Sequence, residues 1–464
     1  MAHPDPLSDA PDLCRLGVAE LRAAYADRTL SPVEVTRACL ARAEQVQGAH
    51  NAFSLIDHEA ALGQARAAES RWQAGAPASA IDGVPATLKD IVWVEGHEIG
   101  YGSAAAAAVR PPRDAPAVAR LRAAGAVFLG LTTTPEFGWK AVTDSPRTGV
   151  TTNPWKASLT PGGSSGGAAV AAATGAGVLH LGTDGGGSIR IPASFSGIFG
   201  LKPTFGRVPA HPPSPFGSVA HLGPMTRSPA DALAMLEVMA GRHPLDWMQP
   251  PAEMPPLAGA RFDLRDAEIG YWHRPPFGTV EPEVAARIEA VVDRLRAQVA
   301  RIEPIDLPDH DDLFKIFTTH WYAGAAARVA ALPPDRLDRV DPGLRAVAAA
   351  GRAIPVADFV LATQRRVAFG TAMDALLERF SLLLSPATAV AAFAAGEEVP
   401  PGSGLGRWTE WAGFSYPINL SQQPACSLPC GWTGDGRPIG LQLIGPRGAD
   451  ARVLAAAETL RSLV

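Results

Sequence analysis

Pro161 to Thr204 reads PGGSSGGAAVAAATGAGVLHLGTDGGGSIRIPASFSGIFGLKPT. Two serines in this stretch are bracketed by glycine, Ser164 in GGSSGG and Ser188 in DGGGSIR, 24 residues apart. Glycine clusters let a backbone take positive φ or pass close to a ligand. A hydroxyl in such a setting can face a substrate with backbone N–H groups beside it, the nucleophile and oxyanion donors that acyl transfer needs. Between the serines, Ala168 to Ala173 is nearly all alanine. A helix so small on every side has no polar face and is expected to be buried. Val178-Leu179-His180-Leu181-Gly182 reads as a central strand leading directly into Asp184-Gly185-Gly186-Gly187-Ser188.

The flanks continue the alternation. Residues 13–50 read as helical, with Ser31-Pro32-Val33-Glu34 a capping box that opens a helix to about Glu44. Residues 57–75 form a second amphipathic helix closed by Gly75, and Ile81 to Ile91 is a turn running into an apolar strand. A helix over 115–125 precedes the short apolar run Ala126 to Leu131, and Pro229 to Ala240 is a helix capped by Ser228. This pattern predicts a sheet flanked by helices. Residues 241–400 differ: amphipathic helices over 283–300, 312–331 and 357–380, with proline-rich joints, describe a partly peripheral helical region. Strand-and-turn character returns over 417–445, where Gly434-Asp435-Gly436 separates two apolar runs as in a hairpin.

Composition narrows the class. The 464 residues are 47% hydrophobic and 19% charged, a globular balance, and the formal charge of −5 without a basic run argues against a nucleic-acid surface. Four cysteines are too few for a disulfide framework, and Cys426 and Cys430 form C-x-x-x-C rather than a zinc-type pair. No metal and no cofactor are expected. The N-terminal MAHPDPLSDAPDL has no basic region before an apolar stretch, and no uninterrupted apolar run is long enough for a membrane span. A cytoplasmic protein is the expectation.

The chemistry of the serines has competing readings. Gly162-Gly163-Ser164-Ser165-Gly166 matches the G-x-S-x-G nucleophile elbow, but the elbow requires a strand before it, and Asn153 to Pro161 carries two prolines. A phosphate loop fails because no Gly-Lys-Ser/Thr follows. A Gly/Ser turn capping the next helix accounts for Ser164, and a tight turn accounts for Ser188 as well as an anion-binding nest does. His180, the one histidine near the serines, reads as a core residue. Lys89, between the apolar VPATL and IVWV, would be carried into the interior, where burial lowers its pKa toward that of a usable base. Its alternative is an ion pair with Asp90 or another carboxylate.

Gly83-Val84-Pro85 with Lys89-Asp90, Thr160 to Gly167, and Gly182-Thr183-Asp184 with Gly186-Gly187-Ser188-Ile189-Arg190 together resemble the amidase signature family. Gly200-Leu201-Lys202-Pro203-Thr204, Gly223 to Ser228, and Asn419 with Gln423-Pro424-Ala425 and Gly440-Leu441-Gln442 extend the resemblance over nearly the whole chain. It is weakest over 241–400. The resemblance implies a single large α/β domain, residues 1–464, with a central mixed twisted β-sheet covered by α-helices on both faces. Within it, 60–230 would be the signature core, 241–400 a variable, mostly helical periphery, and 401–464 the return to the core sheet.

It further implies a Ser–cis-Ser–Lys triad: Ser188 as nucleophile, Ser164 as the bridging serine after a cis peptide, and Lys89 as base. Gly185, Gly186, Gly187 and Ser188 would donate to the oxyanion, while Ser165, Asp184 and Arg190 would support the loop. The implied reaction is cleavage of a C–N acyl bond in a small-molecule amide or carbamate through an acyl-enzyme. The alternative is the glutaminase subunit of a tRNA-dependent amidotransferase. Ile91, Thr133, Gly185 and Ser196 depart from the family's common residues without touching the triad. Aromatic surface from Phe137, Gly138 and Trp139 and from Trp408 and Trp411 would suit an apolar or aryl substrate, or is simply core. A monomer or homodimer with no nucleic-acid or membrane partner completes the expectation.

Overall fold

The computed structural model describes residues 5–464; the first four residues of the N-terminal stretch considered above lie outside them. Helix α1 (Val18–Ala26) and α2 (Pro32–His50) come first, and the predicted capping box is present: Glu34 N donates to Ser31 Oγ at 3.2 Å and Ser31 N to Glu34 Oε2 at 2.8 Å. There follow β1 (Phe53–Ile56), α3 (His58–Gln73), β2 (Pro85–Lys89), α4 (Pro116–Ala123) and β3 (Val127–Thr132). A small ladder, β4 (Asp144–Ser145) with β5 (Gly149–Val150), precedes α5 (Gly166–Thr174), β6 (Leu179–Asp184), α6 (Arg190–Ser196), β7 (Phe199–Lys202), β8 (His221–Thr226) and α7 (Pro229–Met239). The second half supplies β9 (Glu268–Trp272), α8 (Pro282–Arg296), β10 (Arg301–Ile305), α9 (Leu313–Ala330), α10 (Pro342–Arg352), α11 (Val356–Arg379) and β11 (Leu382–Pro386). The chain ends with α12 (Tyr416–Ser421), the hairpin β12 (Ala425–Trp432) and β13 (Pro438–Ile444), and α13 (Asp450–Arg461).

Eleven strands form one mixed sheet in the order β1-β3-β2-β6-β8-β7-β12-β13-β11-β9-β10. Strand β2 runs parallel to both β3 and β6, with Leu88 opposite Leu181, and β6 runs antiparallel to β8, with Asp184 opposite His221. Every residue of β2, β3 and β7 is buried, as near-continuous apolar strands covered on both faces require. The alanine-rich α5 is buried along its whole length and packs against α2, α6, β6 and β8. Its closeness has a backbone cause: a Cβ at Gly167 would collide with Ala52 O and stand 2.5 Å from Thr133 N.

The expectation for 241–400 needs correction. The three predicted helices appear as α8, α9 and α11 within a few residues of their expected bounds, but α10 was not expected, and β9, β10 and β11 from this region belong to the main sheet. EIGYW, RIEPI and LLLSP are each five residues long, too short for periodicity to separate them from the helices beside them. The region therefore extends the sheet as well as covering it. Cys426 and Cys430 are buried on β12, as small apolar residues. Among the described residues no single helix is long and apolar enough to cross a membrane.

Candidate active site

Lys89 ends β2, and its side chain is fully buried. Its Nζ lies 2.7 Å from Ser164 Oγ, 2.9 Å from Ser165 Oγ and 2.9 Å from Thr183 Oγ1. Among the described residues no carboxylate pairs with it. Asp90, the alternative partner, accepts instead from Gly100 N at 2.8 Å. Burial pushes the Lys89 amine well below its ordinary pKa, and the negative field of Asp184 opposes the shift without reversing it. A neutral amine has two N–H groups and one lone pair, so one of the three hydroxyls donates to it. Ser165 Oγ donates to Thr183 O at 3.1 Å, so it can only accept from Lys89, which leaves Ser164 or Thr183 as the donor.

A second buried lysine shows why burial alone is not the signal. Lys202 is also fully buried and also pushed well below its ordinary pKa, again chiefly by burial. Its Nζ donates to the carbonyls of Pro203 and Gln423 rather than to a hydroxyl, and it is absent from the cavity lining. Of the two, Lys89 is the one bonded to a hydroxyl that opens on a cavity.

The turn before α5 carries Ser164 after a cis Gly163–Ser164 peptide. Gly163 is sterically required, because a Cβ there would stand 2.6 Å from the backbone of Val142. No strand precedes this turn; residues 151–163 run as loop, so the elbow reading fails on structure as it does on sequence. Ser165 N donates to Ser188 O at 3.1 Å, which joins the two serine turns directly. The Ser188 side chain faces the same cavity as Ser164, and its hydroxyl makes no hydrogen bond among the described residues.

Asp184 and Arg190 hold the glycine turn. Both side chains are wholly inaccessible, with Arg190 Nη2 2.9 Å from Asp184 Oδ1 and Nε 3.0 Å from Oδ2. Asp184 also accepts from Gly187 N at 2.8 Å and Ile189 N at 3.1 Å. Burial works against its charge, but Arg190 and further donors overcome this and hold its carboxyl well below the ordinary carboxylate range. The Gly187 bond corrects one expectation. Its N–H points to a carboxylate, so Gly187 braces the turn, while Gly185 and Ser188 line the cavity.

That cavity has a volume of about 470 Å³. One wall is Ile91, Trp93, Tyr101, Phe137 and Gly138; another is the proline-rich loop from Ala210 to Phe216, and α9 adds Trp321 and Arg328. Phe216 stacks on Trp321 with ring centroids 3.7 Å apart, tying loop to helix. Phe137 and Gly138 line this cavity. Trp139, Trp408 and Trp411 do not: they are 0%, 2% and 1% exposed and belong to the aromatic core under the site. His221 is a wall residue that sequence reasoning missed. Its Nδ1 lies near Val219 O at 2.8 Å and Asp184 O at 3.2 Å, so the proton sits on Nδ1, and burial keeps the ring neutral. His180 does not line the cavity; its Nδ1 meets Thr87 Oγ1 at 2.8 Å and burial drops its pKa to about 3, as suits a core residue.

The family model Amidase matches residues 34–454. The chain belongs to the amidase family. This amidase is 34% identical to a glutamyl-tRNA(Gln) amidotransferase subunit from Chloroflexus aggregans, over 94% of this chain and 93% of that protein. It is 32% identical to an acylamidase from Rhodococcus erythropolis, over 97% and 95% of the two chains. Among solved structures, a bacterial aryl acylamidase of the amidase signature family superposes with a TM-score of 0.87 at 26% identity, covering 96% of each chain.

Proposed function

We propose that this amidase hydrolyses the C–N bond of a small amide or carbamate through an acyl-enzyme on Ser188, acting as a monomer or homodimer in the cytoplasm. The observation that carries this reading is a desolvated Lys89 amine 2.7 Å from Ser164 Oγ, at a cavity that Ser164 and Ser188 both line. Neutral Lys89 takes a proton from Ser164 as Ser164 takes one from Ser188. Ser188 Oγ attacks the carbonyl carbon, and the electron pair displaced onto oxygen is met by the amides of Gly185, Gly186 and Ser188. Ser164 returns a proton to the leaving nitrogen as the C–N bond breaks. Water, deprotonated along the same relay, then releases the acid. Residues 60–230 carry this chemistry, and 241–400 contribute to the substrate wall through α9.

The apolar lining favours an amide with an aliphatic or aryl portion. The likeness to an amidotransferase component supports a second reading, a glutaminase that works within a partner complex. Free glutamine carries an ammonium, and among the described residues no Asp or Glu lines the cavity to receive one. An aryl anilide and a fluorophosphonate probe test the first reading on the purified chain. Hydrolysis and labelling should both vanish in Ser188→Ala; a variant that keeps turning over the anilide would refute it. Hydrolysis of glutamine but no anilide would favour the second.

A further inference from the structure

Among the described residues, Arg328 is the one fixed charge in the lining of the cavity. It lies two helical turns beyond Trp321 on α9, so both side chains project from one face. Its guanidinium carbon sits 4.0 Å from the centroid of the Phe137 ring and 5.6 Å from that of Tyr101. The ring faces fix the plane of the group but accept none of its N–H bonds in the ordinary sense.

Other buried or half-buried arginines are satisfied. Arg42, Arg120, Arg207, Arg227 and Arg366 all donate to carbonyls or carboxylates. Arg190 has five N–H groups and five acceptors: Asp184 twice, Ser415 O, Gln442 Oε1 and Asn419 Oδ1. Arg328 is half-buried and has neither a hydrogen bond nor an ion pair among the described residues. The acidic group whose field reaches it, Glu136, is committed elsewhere: Oε1 accepts from Ser103 Oγ at 2.5 Å and Oε2 from Asp341 N at 2.7 Å. A planar fork of five donors held open in an apolar cavity matches a carboxylate, which it can grip at two points.

We infer that Arg328 binds a carboxylate of the substrate, so that the preferred substrates are amides with an apolar body, one carboxylate and no ammonium. This rests on the reading of Ser188 as nucleophile, and it narrows the substrate class of that site. The carboxylate can belong to the acyl or the amine portion, so two matched pairs are needed. Glutaric acid mono-4-nitroanilide is compared with pentanoyl 4-nitroanilide, and 4-acetamidobenzoate with 4-methylacetanilide, by kcat/KM on the purified chain. At least one carboxylate member should be preferred by about 10- to 100-fold, the range of a charge-assisted hydrogen bond. Arg328→Met should collapse that ratio to about one and Arg328→Lys should keep part of it. Ratios near one in both pairs for the unaltered chain, which need no variant to fold, overturn the proposal; so does a ratio unchanged in Arg328→Met. Fluorophosphonate labelling separates the two claims: labelled Ser188 without carboxylate preference sinks Arg328 alone, while absent labelling and turnover sink the Ser188 reading. In that last case the same ratio is read as Kd for both pairs, from the change in tryptophan fluorescence on adding each compound, and equal values within both pairs overturn the Arg328 proposal independently.

Discussion

Arg190→Met removes five hydrogen bonds and one charge from a site with no solvent access. Methionine occupies part of the stem's volume, so the principal cost is Asp184 left charged and without its counter-ion. Breaking one side of a buried pair costs about 3–5 kcal/mol. Asp184 would keep the amides of Gly187 and Ile189 and the Asn419 side chain, which favours the lower end, about 3 kcal/mol. That is a large share of a total stability of about 5–15 kcal/mol. Urea unfolding followed by tryptophan fluorescence measures it. The double variant Asp184→Asn/Arg190→Met should lose less than the two singles together, by about 1–2 kcal/mol or more. Because Asp184 also fixes the turn that carries Ser188, activity should fall on the order of 100-fold even well below the unfolding transition, as for a misplacement near 1 Å. The Asp184 carboxyl is held below its unfolded value of about 3.9, so its stabilisation is present above that pH and is lost as pH falls through the range beneath it. Arg190→Met should weaken that acid dependence. A loss under about 1 kcal/mol, or strict additivity in the double variant, would refute the account of the pair as the brace of the turn.

Two further outcomes follow from the geometry. With Lys89 depressed well below the usual value of about 10.4, the amine is protonated and inert only beneath that lowered pKa. Activity should therefore rise with pH and level off well short of about pH 10, and Lys89→Arg, permanently charged, should lose about 100- to 10,000-fold throughout; a profile still climbing near that pH contradicts this. Trp411→Ala should cost about 3–5 kcal/mol of stability and leave the ranking of anilide substrates intact, whereas Phe137→Ala should alter that ranking. Equal changes in selectivity for both variants would put Trp411 in the wall after all.

What could be read from the sequence was the chemistry that depends on local pattern. The capping box at Ser31, the glycine turns around Ser164 and Ser188, the buried alanine helix between them, and Lys89 at the end of an apolar strand all depend on residues adjacent in the chain. The pocket wall was not legible in the same way. Trp411 and Phe137 look alike as isolated aromatics, and only the tertiary arrangement makes one core and the other wall. The loop HPPSPFG over 211–217 did carry a signal, since three prolines beside an aromatic describe an ordered rather than a flexible connection. So did Arg328, a charge at i+7 from Trp321 on a helix face that is otherwise apolar there. Gly187 shows a different limit: a glycine N–H can face either a substrate or a neighbouring carboxylate, and only the position of Asp184 decides.

Arg190 and Arg328 serve two different ends in two parts of the chain. Arg190 sits two residues after Ser188 and gathers Ser415, Asn419 and Gln442, so that the C-terminal part of the chain holds the glycine turn in place. Every donor it has is consumed by the protein, which leaves it nothing with which to discriminate substrates. Arg328 comes from α9, and among the described residues none of its donors is taken. The burial that lowers the Lys89 pKa is fixed by β2, β6 and α5, elements that cannot change without undoing that shift. Selectivity must then come from parts outside that constraint, the 210–216 loop and α9. The Lys89–Ser164–Ser188 cluster and the cavity wall can therefore vary independently, because among the described residues no hydrogen bond links Arg328 to the groups that hold Ser164, Ser188 and Lys89 together.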